Sequence, residues 1–244
     1  MKHIHIVALV AALLALAACD GVGFIETIEG NGNVITEERE VEPFTRIQFN
    51  AQGRVLVQPG SETTLSIEGE SNIVDNITTR VNDDALIIEN ETNAPMFPNE
   101  PLTITITTPE LTGAVLGGAG QLNIEDVTAE LFRARIAGAG QMTIGNISSQ
   151  TLEVDMAGAG AFTVNAGELD TLDVFITGLG SVDTTAIPAA DVEIGLGGAG
   201  EARVWAMDTL DVTISGAGSA SYYGSPQVTE QITGIGDVTS LGEK

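Results

Sequence analysis

Histidine is nearly missing from this chain: its two copies, His3 and His5, lie within the first five residues. The one cysteine, Cys19, follows soon after. If that segment is a removable leader and Cys19 is acylated, the remainder has neither residue free. Ser-His-Asp triads, thiol nucleophiles and Cys/His zinc sites are then excluded. Bases are scarce as well, nine Lys and Arg against 34 acidic residues for a net charge of −25. The arginines are scattered along the sequence, so nucleic acid finds no basic surface to neutralise its phosphates. An anionic membrane would gain no electrostatic hold either. Aromatics make up only 4% of the chain, which leaves the core to small and branched side chains. The longest apolar run, residues 4–18, is broken only by His5 and is too short to span a bilayer comfortably.

What is present begins with that run. Lys2 precedes it and Leu16-Ala17-Ala18-Cys19 ends it, the layout of a secretory leader. "LAAC" resembles the lipobox of bacterial lipoproteins, which implies cleavage before Cys19 and lipidation of its thiol. The alternative is an ordinary signal peptide followed by an incidental cysteine. Asp20 resembles the inner-membrane retention signal of enteric lipoproteins. The expectation is a leader over 1–18, a lipidated tether over 19–30 and a folded domain over 31–244. The protein would be exported and anchored by lipid to the cell envelope, on the periplasmic face or the cell surface.

Glycine is abundant and periodic. The first members of a Gly-x-Gly pair stand at Gly118, Gly138, Gly158, Gly178, Gly198, Gly216 and Gly234, spaced 20, 20, 20, 20, 18 and 18. Apolar residues alternate with polar ones on both sides of each pair, as in Leu152-Glu153-Val154-Asp155-Met156 before Gly158. Period-two alternation predicts strands with one buried face, and a fixed repeat length predicts a solenoid. The fold is therefore expected to be all-β, a single-stranded parallel β-helix with coils of about 18–20 residues. Each coil would run strand, Gly-x-Gly corner, strand, and then a variable turn such as "GNISSQ" or "TAIPAA". Two properties of glycine suit such a corner: it accepts positive φ, and it lets adjacent coils approach without a Cβ.

Residues 111–244 form the regular series, and 31–110 read as irregular coils of the same kind. In "RIQFNAQGRVLV" the offsets match the later units, with Ala51 in place of the first glycine. "NETNAPMFPNEP" carries three prolines and reads as a projecting loop. Beyond the last corner only a short stretch remains. That predicts an open strand edge, covered by an N-terminal segment or by end-to-end stacking of copies.

The order "GNGNVITEEREVEPFTRIQFNAQGRVLVQPG", "LTITITTPEL" and then serial "GAG" units resembles the auto-transporter adhesin head GIN domain family, from about Gly30 to the end. The resemblance implies a secreted or lipid-anchored β-solenoid with a non-enzymatic role at the surface or in the periplasm. It supplies no catalytic residues.

Other motifs are weaker. "GLGGAG" fits the dinucleotide fingerprint, but an alternating strand follows it where a helix is required. "GGAGQLNIE" and "GGAGEARVW" approach a calcium-binding nonapeptide, yet the ligand positions hold Leu122 and Ala202. A column of Glu153, Asp173, Glu193 and Asp211, each five residues before a corner, places carboxylates on four successive coils. They would hold a bridging Ca²⁺ or form a solvated acidic stripe. No other cofactor is expected. Phe175, Trp205, Tyr222 and Tyr223 are the outward aromatics that could contact an envelope protein or a glycan, or pack against turns. Non-catalytic binding is the main reading. The alternatives are a β-helical carbohydrate-active protein that binds or cleaves acidic polysaccharide, and a structural component that self-associates end to end.

Overall fold

The computed structural model describes residues 27–244; the leader, Cys19 and most of the tether lie outside the described residues. The architecture is a parallel β-helix, as the alternation requires. Strands Gln121–Ile136 and Gln141–Met156 pair in parallel with a 20-residue offset, Leu122 on Met142 through Ile136 on Met156. The same offset continues to Gly167–Ile176 and Ala189–Leu196, and shortens to 18 at Glu201–Ile214. Pairing along Gln121–Ile136 is interrupted at Glu125 and Glu130, while the offset stays at 20. A coil therefore has three short faces, and "GNISSQ" is the third of them rather than a turn. Inward positions stack Phe132, Leu152, Leu172, Val192 and Leu210 into one buried column and Leu116, Ile136, Met156 and Ile176 into another.

The corners show which property of glycine is in use. None of the Gly-x-Gly residues from Gly118 onward has positive φ. A Cβ at Gly158 would instead run into the carbonyl oxygen of Gly138, and one at Gly138 into that of Gly118. Close approach of coils is what the repeat demands. It lets the ladder continue round the bend, where Ala139 N–H donates to the Gly118 carbonyl at 3.2 Å and Gln141 N–H to that of Gly120 at 3.0 Å.

The N-terminal region departs from simple coiling. Arg46–Phe49 and Arg54–Pro59 do form a coil, with Ala51 at the corner as the offsets imply. That coil lies between two others. Gly113–Leu116 and Gln121–Ile136 pair on one side of it, Ala85–Asn90 and Thr103–Thr108 on the other, all in parallel. The chain thus builds its second coil outward and then returns past the first. Beyond that outer coil the pairing turns antiparallel: Thr64–Glu70 against Thr103–Thr108, Val34–Arg39 against Thr64–Glu70, and Ile77–Asn82 against Ala85–Asn90. Asp83 and Asp84, both at positive φ, make the tight turn of the last hairpin. A one-turn helix, Ser71–Val74, carries Ile73 and Val74 fully into the core. The Arg39 guanidinium joins the two outer strands by donating to the carbonyls of Ile77 at 2.6 Å and Val74 at 3.2 Å.

Glu70 ties this cap together. Its side chain is wholly buried, and its carboxylate accepts from the backbone N–H of Gly32 at 2.5 Å, Asn99 at 2.7 Å and Glu100 at 3.3 Å. Burial by itself would raise its pKa. The N–H donors and the Asn99 side-chain amide outweigh it, and the pKa lies below the usual value. Gly30 is required beside it, because a Cβ there would overlap the carboxylate. The proline-rich segment is consequently docked rather than projecting: Met96–Phe97 pairs with Ile28–Glu29, and Met96 is buried. Among the described residues no helix is long and apolar enough to cross a membrane.

Candidate functional site

The face that leads into the Gly-x-Gly corner carries a groove. Its outward residues stand in two neighbouring columns fixed by register. One reads Arg46, Gly113, Arg133, Glu153, Asp173, Glu193, Asp211 along the stack, and the other Gln48, Val115, Arg135, Asp155, Phe175, Gly195. Between Arg46 and Phe175 these columns line a groove of about 710 Å³. Gly113 supplies its depth, since no side chain rises there between Arg46 and Arg133.

Charge along the groove is ordered. Arg133 Nε donates to Glu153 at 2.7 Å, and the Arg135 and Asp155 charges lie 3.5 Å apart. Both pairs are well exposed, so each is worth only ~0–1 kcal/mol and leaves guanidinium N–H groups to solvent. Farther along, Asp173, Glu193 and Asp211 follow one another with no basic partner among the described ion pairs. Partial burial, and then the charges of Glu193 and Glu153, push the Asp173 pKa above its usual value. Phe175 remains 42% exposed. Its ring leans over Gly195, where an added Cβ would come within 2.8 Å of ring carbon Cδ1.

The sequence-derived candidates divide accordingly. Glu153, Asp173, Glu193 and Asp211 do form one column, yet among the described residues no three acidic side chains gather closely enough to hold a metal ion. The four aromatics are not brought together. Phe175 precedes the corner on the grooved face, whereas Trp205 and Tyr223 pair in register beyond it, both half-buried. Lys244 Nζ lies over their rings at 5.1 and 5.4 Å. Tyr222 is half-buried like Tyr223 but stands at an inward register position. It stacks on Val204 and packs against the core. Cys19 lies outside the described residues.

Arg46, Arg133 and Arg135 were invisible as a group, although the arginines that look scattered in sequence converge here. Part of the signal was legible: Arg133 and Arg135 are two apart on an alternating strand, and so share a face. Arg46 joins them only because the first coil sits beside the coil that begins at residue 113.

Comparison with known proteins gives a consistent result. A family model described as "Putative auto-transporter adhesin, head GIN domain" matches residues 43–226. A crystal structure of a "putative adhesin" from Bacteroides fragilis superposes with TM-score 0.82 at 26% identity, covering 88% of this chain and all of the other. A "putative adhesin" from Parabacteroides distasonis gives 0.69 at 18% identity over 88% of this chain and all of the other. A "putative lipid binding protein" from the same organism gives 0.66 at 22%, with the same coverage. These last two share the fold. No curated protein matches the chain.

Proposed function

The chain belongs to the auto-transporter adhesin head GIN domain family, and from that membership we propose that it is a non-catalytic binding module of the bacterial cell envelope. A lipid on Cys19 holds it to the membrane, and the groove between Arg46 and Phe175 contacts the partner. The groove is the observation that carries this reading. Concavity, exposed guanidinium groups and an exposed aromatic ring coincide there on one sheet. Ladder pairing on both sides fixes the backbone beneath these side chains, so no loop has to be ordered when a partner binds.

Retention of envelope components on the immobilised mature chain tests the proposal. Wild type should retain a saturable component, and Arg135→Glu or Phe175→Ala should lose it while the far-UV dichroism stays unchanged. Equal retention by all three proteins would remove the groove from the reading. The anchor is tested separately: Cys19→Ser should move the protein from the membrane to the soluble fraction.

A second reading, self-association through the coil of Gln227–Ile232 and Asp237–Gly242, is favoured by the exposure of Ile232, Ile235 and Leu241 on that coil. Glu230 opposes it. It occupies the inward column beneath Val212, where a stacked copy would bury its charge. Sedimentation velocity across a hundredfold concentration range, about 1–100 μM where weak association becomes visible, separates the two readings.

A further inference from the structure

The two halves of the groove are opposite in charge and about two coils apart, a spacing of roughly 10 Å at 4.8 Å per coil. At one end stand Arg133 and Arg135, adjacent outward positions on one strand with Gly113 beside Arg133. Their present partners are exposed carboxylates, and Arg135 is beyond ordinary hydrogen-bond range of Asp155. A ligand carboxylate can take both guanidinium groups through paired N–H donors. At the other end the Phe175 ring lies over Gly195 with its outer face open, and Asp173 and Glu193 flank it in the next column. An aromatic face bordered by carboxylates attracts an ammonium group. The charge repulsion already present at Asp173 is relieved by such a cation.

A polyanion fits only the first half, and it must approach a body of net charge −25. A ligand bearing both charges fits both halves. An extended peptide advances about 3.3 Å per residue, so an ammonium-bearing side chain three residues before a free C-terminal carboxylate spans the distance.

Building on the binding-module reading, we propose that this groove binds a short extended zwitterionic peptide, its C-terminal carboxylate between Arg133 and Arg135 and a lysine-type ammonium over Phe175 beside Asp173 and Glu193.

The probe is N-acetyl-Lys-Ala-Ala-Ala with a free C-terminus, titrated into the mature chain by calorimetry at low salt. Two blocked peptides accompany it, one C-amidated and one acetylated on the lysine Nε. Each block should weaken binding by about tenfold or more, the usual consequence of losing a charge-assisted contact. Arg135→Gln should weaken discrimination against the amide while keeping discrimination against the acetyl-lysine peptide, and Phe175→Ala should weaken the latter while keeping the former. Equal affinities for the three peptides, or no heat from any of them at millimolar concentration, would overturn the proposal. If an oligo-uronate binds in an Arg135-dependent manner where the peptides do not, the groove stays a binding surface and the peptide assignment falls.

Discussion

The two ends of the solenoid present the same ladder of backbone donors and acceptors and treat it differently. At the N-terminal end the ladder turns antiparallel, a one-turn helix drives Ile73 and Val74 into the core, and Arg39 and Glu70 fasten the outer segments. At the other end Gln227–Ile232 and Asp237–Gly242 pair on one side only, and Ile235 is 90% exposed. The first end is closed by burying Glu70 and the Arg39 guanidinium with hydrogen-bond partners for both. At the second, the inward position beneath Val212 holds a charge, Glu230, which a stacked copy would have to bury. Within the described residues one end of the ladder is covered and the other carries a charge among its inward positions.

Core truncations should break the symmetry most. Phe49 is wholly buried in the coil held on both sides, and Phe49→Ala should cost ~3–5 kcal/mol. Ile232→Ala at the one-sided coil should cost under ~1 kcal/mol, because the side chain is already 41% exposed. Urea denaturation of the two variants measures the difference, and equal losses would mean that the last coil is covered in solution.

Acid should act next, and on one end only. The Glu70 pKa is lowered on folding, so its contribution is present above the ordinary carboxylate range and is lost as pH falls through the folded value. Protection of the Gly32, Asn99 and Glu100 amides, taken relative to their intrinsic exchange rate at each pH, should therefore fall as the pH drops below about 4.5, near a normal glutamate pKa. Amides of the last coil should show no such step.

Asp173 is the control of opposite sign. Its pKa is raised, so its favourable contribution is complete below the ordinary range and is lost as pH rises through the folded value. Asp173→Asn should raise the melting temperature slightly at pH 7 and leave it unchanged at pH 3. The smallest change in stability, within about 0.5 kcal/mol, is expected for Glu230→Val. Its effect should appear instead as concentration-dependent association in sedimentation. A variant that stays monomeric would show that Glu230 is no guard.

Much of the regular series could be read directly. The 20-residue spacing of Gly118 to Gly198 became the pairing offset itself, and Leu152, Val154 and Met156 point inward as their alternation implies. Ala51 took the corner place assigned to it. Strand direction was not legible, because "TTLSIEGES" alternates identically whether its partner runs parallel or antiparallel. Coil order was hidden for a related reason: nothing local in residues 46–59 says that residue 113 will lie beside them. That same fact concealed the groove, whose arginines are 87 and 89 residues apart from Arg46 by number yet share two adjacent columns. Tyr222 misled because its neighbour Tyr223 is outward, and alternation sends one of any adjacent pair inside.

The doubled-back first coil has a mechanical consequence. A stack of coils laid down in chain order can be unravelled from its end like thread from a spool, each layer released once the one outside it has gone. Here a pull applied ahead of residue 27 would peel Ile28–Glu29 and then Val34–Arg39 from their single partners. It would next reach Arg46–Phe49, which is clamped between Ala85–Asn90 and Gly113–Leu116. Tension then has to shear two ladders at once instead of opening one bond after another. The tucked coil works as a stopper knot against a pull from that side.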